Sequence, residues 1–437
     1  MNEIVSNLLV YGSLPEDSIL WQLADICEKL KNQTESKDAL RGRVFHQVKN
    51  LLTVATDYAF DKNLWHNYLT FLLITNENPF SLVCEKMGAQ DGTVNNFVTH
   101  DFEMFKKLFD YDFSWMENEL SIDCFTQLTH YKAIRKKELM YNKNVSEKVR
   151  NLSEQLETAE SGADFFKYVT EFYKDFGVGM FGLNKAFRIA ENGDGSVRFL
   201  PINNMDAVML DDLIGYELQK KKLVENTQAF CDGKAANNVL LFGDSGTGKS
   251  TSIKAIVNQF YPQGLRMIEI YKHQFKDLST IIAQIKNRNY KFIIYMDDLS
   301  FEEFEIEYKF LKAVIEGGVE TKPDNVLIYA TSNRRHLIKE TWKDREDMEH
   351  SEDLHRSDTM EEKLSLVNRF GLSIYYAKPN KEGFNEMAIA LARRAGITPD
   401  IMTDEEICYE ANRFEMRGGG LSGRTAQQFA NYLLTIK

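Results

Sequence analysis

The run Gly243-Asp244-Ser245-Gly246-Thr247-Gly248-Lys249-Ser250 combines three glycines with a lysine and a hydroxyl. It fits the spacing G-x-x-x-x-G-K-[ST], and it directly follows the apolar run Asn238-Val239-Leu240-Leu241-Phe242. A strand that feeds such a turn into a helix is the context in which this spacing holds phosphate. The glycines let the backbone curl so that several N–H groups point at one centre. The helix opening at Lys249, with Ser250 and Thr251 in its first turn, adds the positive end of its dipole. Lys249 is expected to be partly exposed and to reach the β- and γ-phosphates, and the Ser250 hydroxyl to ligate Mg²⁺.

A second chemical cluster closes another apolar run, Phe292-Ile293-Ile294-Tyr295-Met296-Asp297-Asp298. A buried strand of a parallel sheet ends at the ligand edge of that sheet. Asp297 can there hold Mg²⁺ opposite Ser250, and Asp298 can orient or deprotonate a water. The competing reading is that the two aspartates cap the next helix. Glu302 and Glu303 stand close in sequence but fall on that following helix, and neither is assigned as the base. A third run, Val326-Leu327-Ile328-Tyr329-Ala330, ends in Thr331-Ser332-Asn333. An amide offers both donor and acceptor, so Asn333 can contact a γ-phosphate and a water together. Arg334 and Arg335 read equally as solvated charges or as an interface patch.

These clusters need a scaffold. The chain has 437 residues, enough for two or three domains. With 43% apolar and 27% charged residues it has a globular composition. A net charge of −12 disfavours wholesale contact with phosphate backbones, so tight nucleic-acid binding is not expected. The five cysteines are scattered and form no C-x-x-C pair, which suits reduced thiols in a cytoplasm. The start Met1-Asn2-Glu3-Ile4 lacks a basic leader region, and no uncharged apolar stretch approaches the roughly 18 residues of a membrane span. His350 and His355 lie among acids in what reads as a solvated loop, not a metal site.

Residues 1–184 read as a mostly helical N-terminal domain of unknown role. Ile19, Leu20, Leu23, Ile26, Cys27 and Leu30 fall at helical spacing, as do Phe102, Phe105, Leu108 and Phe109. The charged stretch 147–158 reads as an exposed helix or linker. Residues 185–210 read as a β-hairpin, turning at Asn192-Gly193-Asp194-Gly195, and a linker. From there strand and helix alternate, with strands expected at 238–242, 266–271, 291–296, 325–330 and 372–377. Helices are expected at 249–260, 277–288 and 302–316. This predicts an α/β fold with a parallel sheet over 211–379. Residues 380–437 read as a helical lid, with helices at 382–395, 403–414 and 422–436.

Taken together, the phosphate loop at 243–250, the acidic strand end at 292–298 and Asn333 resemble Walker A, Walker B and sensor 1 of the AAA+ ATPase superfamily. Within it, Asp297-Asp298-Leu299-Ser300-Phe301, the string from Ala330 to Leu337 and Ser422-Gly423-Arg424-Thr425-Ala426 resemble a bacterial family of predicted ATPases of unknown function, over about 185–437. The resemblance implies that Leu213-Ile214-Gly215-Tyr216-Glu217 cups adenine through Ile214 and Gly215. It implies that Arg424 opens a lid helix as sensor 2. It also implies that Asn368-Arg369-Phe370 presents Arg369 to the ATP of a neighbouring subunit in a ring or open ring. One departure is Asp298, where most such proteins carry Glu; its shorter reach suits slower turnover. Tyr271 and Phe275 on the loop 271–275 read as residues of a chain-threading pore loop or equally as core.

The expected activity is therefore Mg²⁺-dependent ATP hydrolysis that remodels an unknown macromolecular partner. Two alternatives use the same residues: an ATP-binding switch or scaffold with negligible hydrolysis, and a DNA-associated loader ATPase, which the −12 charge weighs against. A P-loop small-molecule kinase gives no reason for Asn333, Arg369 and Arg424 to occur together.

Overall fold

The computed structural model describes residues 1–134, 143–193, 195–203, 205–301, 307–316, 323–333, 369–418 and 420–435. Arg334, Arg335, His350, His355, Glu302, Glu303 and Asn368 lie outside the described residues. The chain forms two compact units, one of 1–184 with 201–204 and one of 185–200 with 205–437.

The N-terminal unit contains eleven helices among its described residues. Ile19–Asn32 starts where the Ser18 hydroxyl accepts the Trp21 N–H and stops at left-handed Gln33. Its Ile19, Leu20, Leu23, Ile26, Cys27 and Leu30 are all buried, the stripe their spacing predicts. Phe102, Phe105, Leu108 and Phe109 are buried on the helix Val94–Phe109. The stretch expected to be exposed is instead part of a packed helix, Lys143–Glu157. Val145, Val149, Leu152 and Leu156 form one narrow buried stripe among its charges.

Among the described residues of the second unit seven strands form one sheet in the order β2-β1-β4-β5-β6-β3-β7. They are β1 Ala186–Glu191, β2 Val197–Pro201, β3 Val239–Gly243, β4 Leu265–Glu269, β5 Lys291–Met296, β6 Val326–Ser332 and β7 Leu372–Tyr376. The pairs β1/β4, β4/β5, β5/β6, β6/β3 and β3/β7 are all parallel. In β5, Phe292 to Met296 are all buried, and β6 is buried throughout, because helices cover both faces of a parallel sheet. β7 is an edge strand, and only its Ile374 and Tyr376 are buried. The hairpin expected to link two domains is built into the sheet: β1 continues it beside β4. The lid helices Lys381–Arg394, Asp404–Glu415 and Gly423–Thr435 share a small core around Phe384, Ile407 and Phe429. The segment after β4 is a 3-10 helix, Lys272–Asp277, with Phe275 buried and Tyr271 exposed before it.

Candidate functional site

Because β3, β5 and β6 run parallel, their C-terminal ends meet at one sheet edge. β6 lies between β3 and β5, so Asn333 falls between the phosphate loop and the two aspartates. The loop leaves β3 at Gly243, whose φ is 133° and whose added Cβ would stand 2.2 Å from the Tyr376 carbonyl oxygen. Only glycine fits there. At Gly246, φ 78°, a Cβ would press on Arg424 Cβ and Ser422, each at 3.2 Å or less. The Gly246 carbonyl accepts the Arg424 N–H at 3.1 Å, so loop and lid meet backbone to backbone. The helix Lys249–Phe260 then carries the next polar residues into the same edge.

Two short hydrogen-bonded chains occupy that edge. In the first, Lys249 Nζ donates to the Gly243 carbonyl at 2.9 Å, the Asp244 carbonyl at 2.6 Å and Asn333 Oδ1 at 3.0 Å. Asn333 Nδ2 in turn donates to Asp298 Oδ1 at 2.7 Å. In the second, the hydroxyls of Ser250 and Thr331 donate to Asp297 Oδ1 at 2.7 and 2.6 Å. The Asp298 N–H closes onto Thr331 Oγ1 at 2.9 Å, with Asp298 in the left-handed region at φ 50°. Backbone in that region is costly outside glycine and clusters at functional sites.

Lys249 is 6% exposed, not partly exposed as its motif suggested, because the loop wraps its own carbonyls around the ammonium. Burial lowers its pKa, while Asp244, Asp298 and Asp297 pull the other way. For Asp297 burial acts upward, but the hydroxyls of Ser250 and Thr331 outweigh it and hold the carboxyl below its ordinary value.

The chains open onto a cavity of about 820 Å³, inside the roughly 300–1,000 Å³ typical of ligand pockets. One wall is polar, with Ser245 to Thr251, Asp297, Asp298, Thr331 and Asn333. The other is largely apolar, with Leu213, Ile214, Tyr216, Met387 and Leu391. Arg424, exposed on the first turn of the lid helix, lines the cavity beside Gln427 and Gln428. Such a wall takes a flat heterocycle at one end and a polyanion at the other.

The structure thus brings Ile214, Ser245, Gly246, Thr247, Gly248, Lys249, Ser250, Thr251, Asp297, Asp298, Asn333 and Arg424 to one cavity. Gly215, Gly243 and Asp244 are not among its lining residues but stand within two positions of them in sequence. Gly215, φ 78°, turns the chain over Met387, and Asp244 Oδ2 accepts the Lys378 N–H at 3.0 Å. Arg369 is elsewhere. It precedes β7, and β7 runs parallel to β3 with Leu372 beside Val239 and Tyr376 beside Gly243. The strand itself therefore separates Arg369 from its own phosphate loop by about 13 Å or more. Thr331, Met387 and Leu391 were not singled out in the sequence. Thr331 alone left a signal, as a hydroxyl two residues before Asn333 on an apolar strand.

Mg²⁺ favours a few hard oxygen ligands and keeps water and phosphate for the rest. Ser250 and Asp297, two oxygen donors 2.7 Å apart at the polar wall, fit that demand. Among the described residues no group of three or more His, Cys, Asp or Glu is placed to hold a metal alone.

A family model described as "Protein of unknown function (DUF815)" matches residues 183–436. No curated protein matches. Three solved structures of Thermotoga maritima RuvB variants are similar at 17%, 16% and 14% identity with TM-scores of 0.36, 0.33 and 0.32. Each alignment covers 52% of this chain, and they cover 66%, 71% and 72% of the three variants. The chain therefore spans just under two thirds of the first of them.

Proposed function

We propose that this chain, which belongs to the family described as a protein of unknown function (DUF815), is a Mg²⁺-dependent AAA+ ATPase that remodels a macromolecular partner. The observation that carries the reading is Asn333, which joins Lys249 to Asp298 although the three come from different strand ends. A structural amide needs no such partners at the mouth of a cavity. A γ-phosphate and a water would take up these same groups.

In this reading the base lies on Leu213, Ile214 and Met387, and the phosphates lie along Ser245 to Ser250. Lys249 and Arg424 hold phosphate oxygens. Ser250 and Asp297 hold Mg²⁺, which when bound neutralises charge on the β- and γ-phosphates. Asn333 donates its amide N–H to the γ-phosphate and orients the attacking water. Asp298 accepts that water's proton. Arg369, on the far edge of the sheet from its own loop, serves the neighbouring subunit of an oligomer. A guanidinium suits that task because it stays charged and forks onto two oxygens.

An ATP-binding switch with little hydrolysis is the second reading. The short Asp298 side chain favours it, since its carboxylate is already engaged by Asn333. Asp298→Asn separates binding from chemistry. It is expected to bind ATP with affinity near that of the unaltered chain and to lose phosphate release by a factor of 10² or more. Calorimetry and steady-state phosphate release measure the two. Equal turnover in both proteins would remove Asp298 as the base, and negligible turnover in both would establish the switch.

A further inference from the structure

The parallel ladder between β5 and β6 ends at Met296 and Ala330, just short of the two aspartates. Asp297, Asp298 and Leu299 are nevertheless all tied to β6, and each is tied through Thr331. The Thr331 hydroxyl donates to Asp297 Oδ1 at 2.6 Å and accepts the Asp298 N–H at 2.9 Å. The Thr331 carbonyl accepts the Leu299 N–H at 2.7 Å. Chemistry fixes the direction of these bonds. A backbone N–H can only donate, so the hydroxyl must accept from Asp298, and its single proton is left for the Asp297 carboxylate.

Other buried threonines show what a structural hydroxyl does in this chain. Thr70, Thr170 and Thr227 each give their proton to the carbonyl four residues back on their own helix, at 2.7–2.9 Å. Thr331 is comparably buried, at 2% exposed, yet it gives its proton to a carboxylate at the cavity wall. Its acceptor side matters as much. Asp298 holds a φ of 50°, a conformation that is costly outside glycine and persists only where the surroundings over-determine it. Thr331 constrains that residue on both sides, through the Asp298 N–H and the Leu299 N–H.

We propose that Thr331 is the positioning residue of this strand end: one hydroxyl fixes Asp297 and Asp298 together, so that the carboxylate beside Ser250 and the carboxylate beside Asn333 are set as a pair. Thr331 acts through the two aspartates and not on the ion or the water directly. The proposal rests on the Mg²⁺-dependent ATPase reading above, in which Asp297 holds the ion and Asp298 takes the proton.

The experiment uses the full chain. Binding of a fluorescent ATP analogue is titrated with MgCl₂ and repeated in EDTA, phosphate release is measured at saturating Mg²⁺, and a thermal melt follows stability. Thr331→Val nearly keeps the volume and removes the hydroxyl. It is expected to raise the half-saturating Mg²⁺ concentration about tenfold and to lower turnover at saturating Mg²⁺ about tenfold, each the loss of one hydrogen bond that sets a charged group. Its nucleotide affinity in EDTA should be unchanged, and its melting temperature should fall by a few degrees. Thr331→Ser keeps the hydroxyl and should restore both the Mg²⁺ midpoint and the turnover. Thr331→Ala should repeat the two losses and takes the place of the valine variant if that protein does not fold. A hydroxyl with a merely structural role would lower the melting temperature alone. An unshifted Mg²⁺ midpoint or normal turnover in folded Thr331→Val overturns the proposal, as does a Thr331→Ser protein as impaired as the valine one. Asp297→Asn distinguishes the two levels of failure. If it keeps the normal Mg²⁺ dependence, or if the unaltered chain shows no turnover, the reading of the site itself is wrong; if it loses that dependence while Thr331→Val does not, only the role of Thr331 falls.

Discussion

The two units of this chain tie their polar side chains differently. In the N-terminal unit several buried ones fasten segments of the chain. The fully buried Asp101 accepts the backbone N–H groups of Leu9, Val10 and Tyr11 at 2.7–2.9 Å. Glu117 accepts the N–H groups of Phe125 and Thr126 and the Thr126 hydroxyl. Tyr11 and Tyr173 meet at 3.0 Å, and Tyr173 continues to the Leu73 carbonyl. In the second unit Lys249, Asn333, Ser250, Asp297 and Asp298 are tied largely to one another, at the wall of a cavity. Groups of the first kind fasten distant segments together. Groups of the second kind can exchange their partners for a ligand without opening the fold.

The most severe way to test this division is Arg369, assigned to neither kind. A finger supplied in trans is worth about 10³–10⁵ in rate, so Arg369→Ala is expected to lose that much phosphate release. Lys249→Ala should be equally inactive, and a mixture of the two should regain part of the activity. Arg369→Ala with full, concentration-independent turnover would leave a monomeric ATPase or a switch.

The contrast sharpens in a direct pair of substitutions. Lys249→Met should weaken nucleotide binding at least about 100-fold, or about 3 kcal/mol, since it removes the cation that would meet the phosphates. Its melting temperature should move by only a few degrees, because the burial that depresses the lysine pKa is relieved as its hydrogen bonds are lost. Asp101→Ala should do the reverse. It strands three N–H groups, one buried and two half-buried, and should destabilise the N-terminal unit by about 2–4 kcal/mol, while nucleotide affinity of the folded fraction holds. Denaturant melts and calorimetry on both variants decide it; a Lys249→Met protein that unfolds while keeping its nucleotide would erase the distinction.

The smallest effect concerns pH. Asp297 titrates below its ordinary value, so its contribution to stability is present above the unfolded carboxyl pKa and is lost as pH falls through the lower folded one. Thr331→Val removes one of the hydroxyls responsible. Thr331→Val should therefore be less stable than the unaltered chain near neutrality, and the stability lost between neutral pH and pH 2 should be smaller. Denaturant midpoints taken between pH 2 and 7 measure this. Superimposable curves would show that Thr331 does not hold the carboxylate.

Much of the second unit was legible because its signals are local. The helix expected at 249–260 is Lys249–Phe260, and the strand expected at 291–296 is Lys291–Met296. Glycine spacing, an apolar run ending in acids and a Gly-Arg at a helix start each report on a few neighbouring residues. The hairpin at 186–201 was equally visible, but its place in the sheet was not, since pairing with β4 joins residues about 80 apart in sequence. The helix Lys143–Glu157 was misread as exposed because its four buried apolar residues are outnumbered by charges, and only a partner surface shows which stripe is covered.

By themselves, then, the residues determined the phosphate loop, the acidic strand end, the polar end of β6 and the alternation that makes a parallel sheet. These follow from backbone freedom at glycine and from side-chain periodicity, which act over a few residues. The tertiary structure alone decided that Lys249 is buried, that Asn333 joins it to Asp298 and that Arg369 precedes the end of β7 opposite its own loop. Each depends on which strands become neighbours. That choice is set by packing between segments far apart in the chain, and no local pattern carries it.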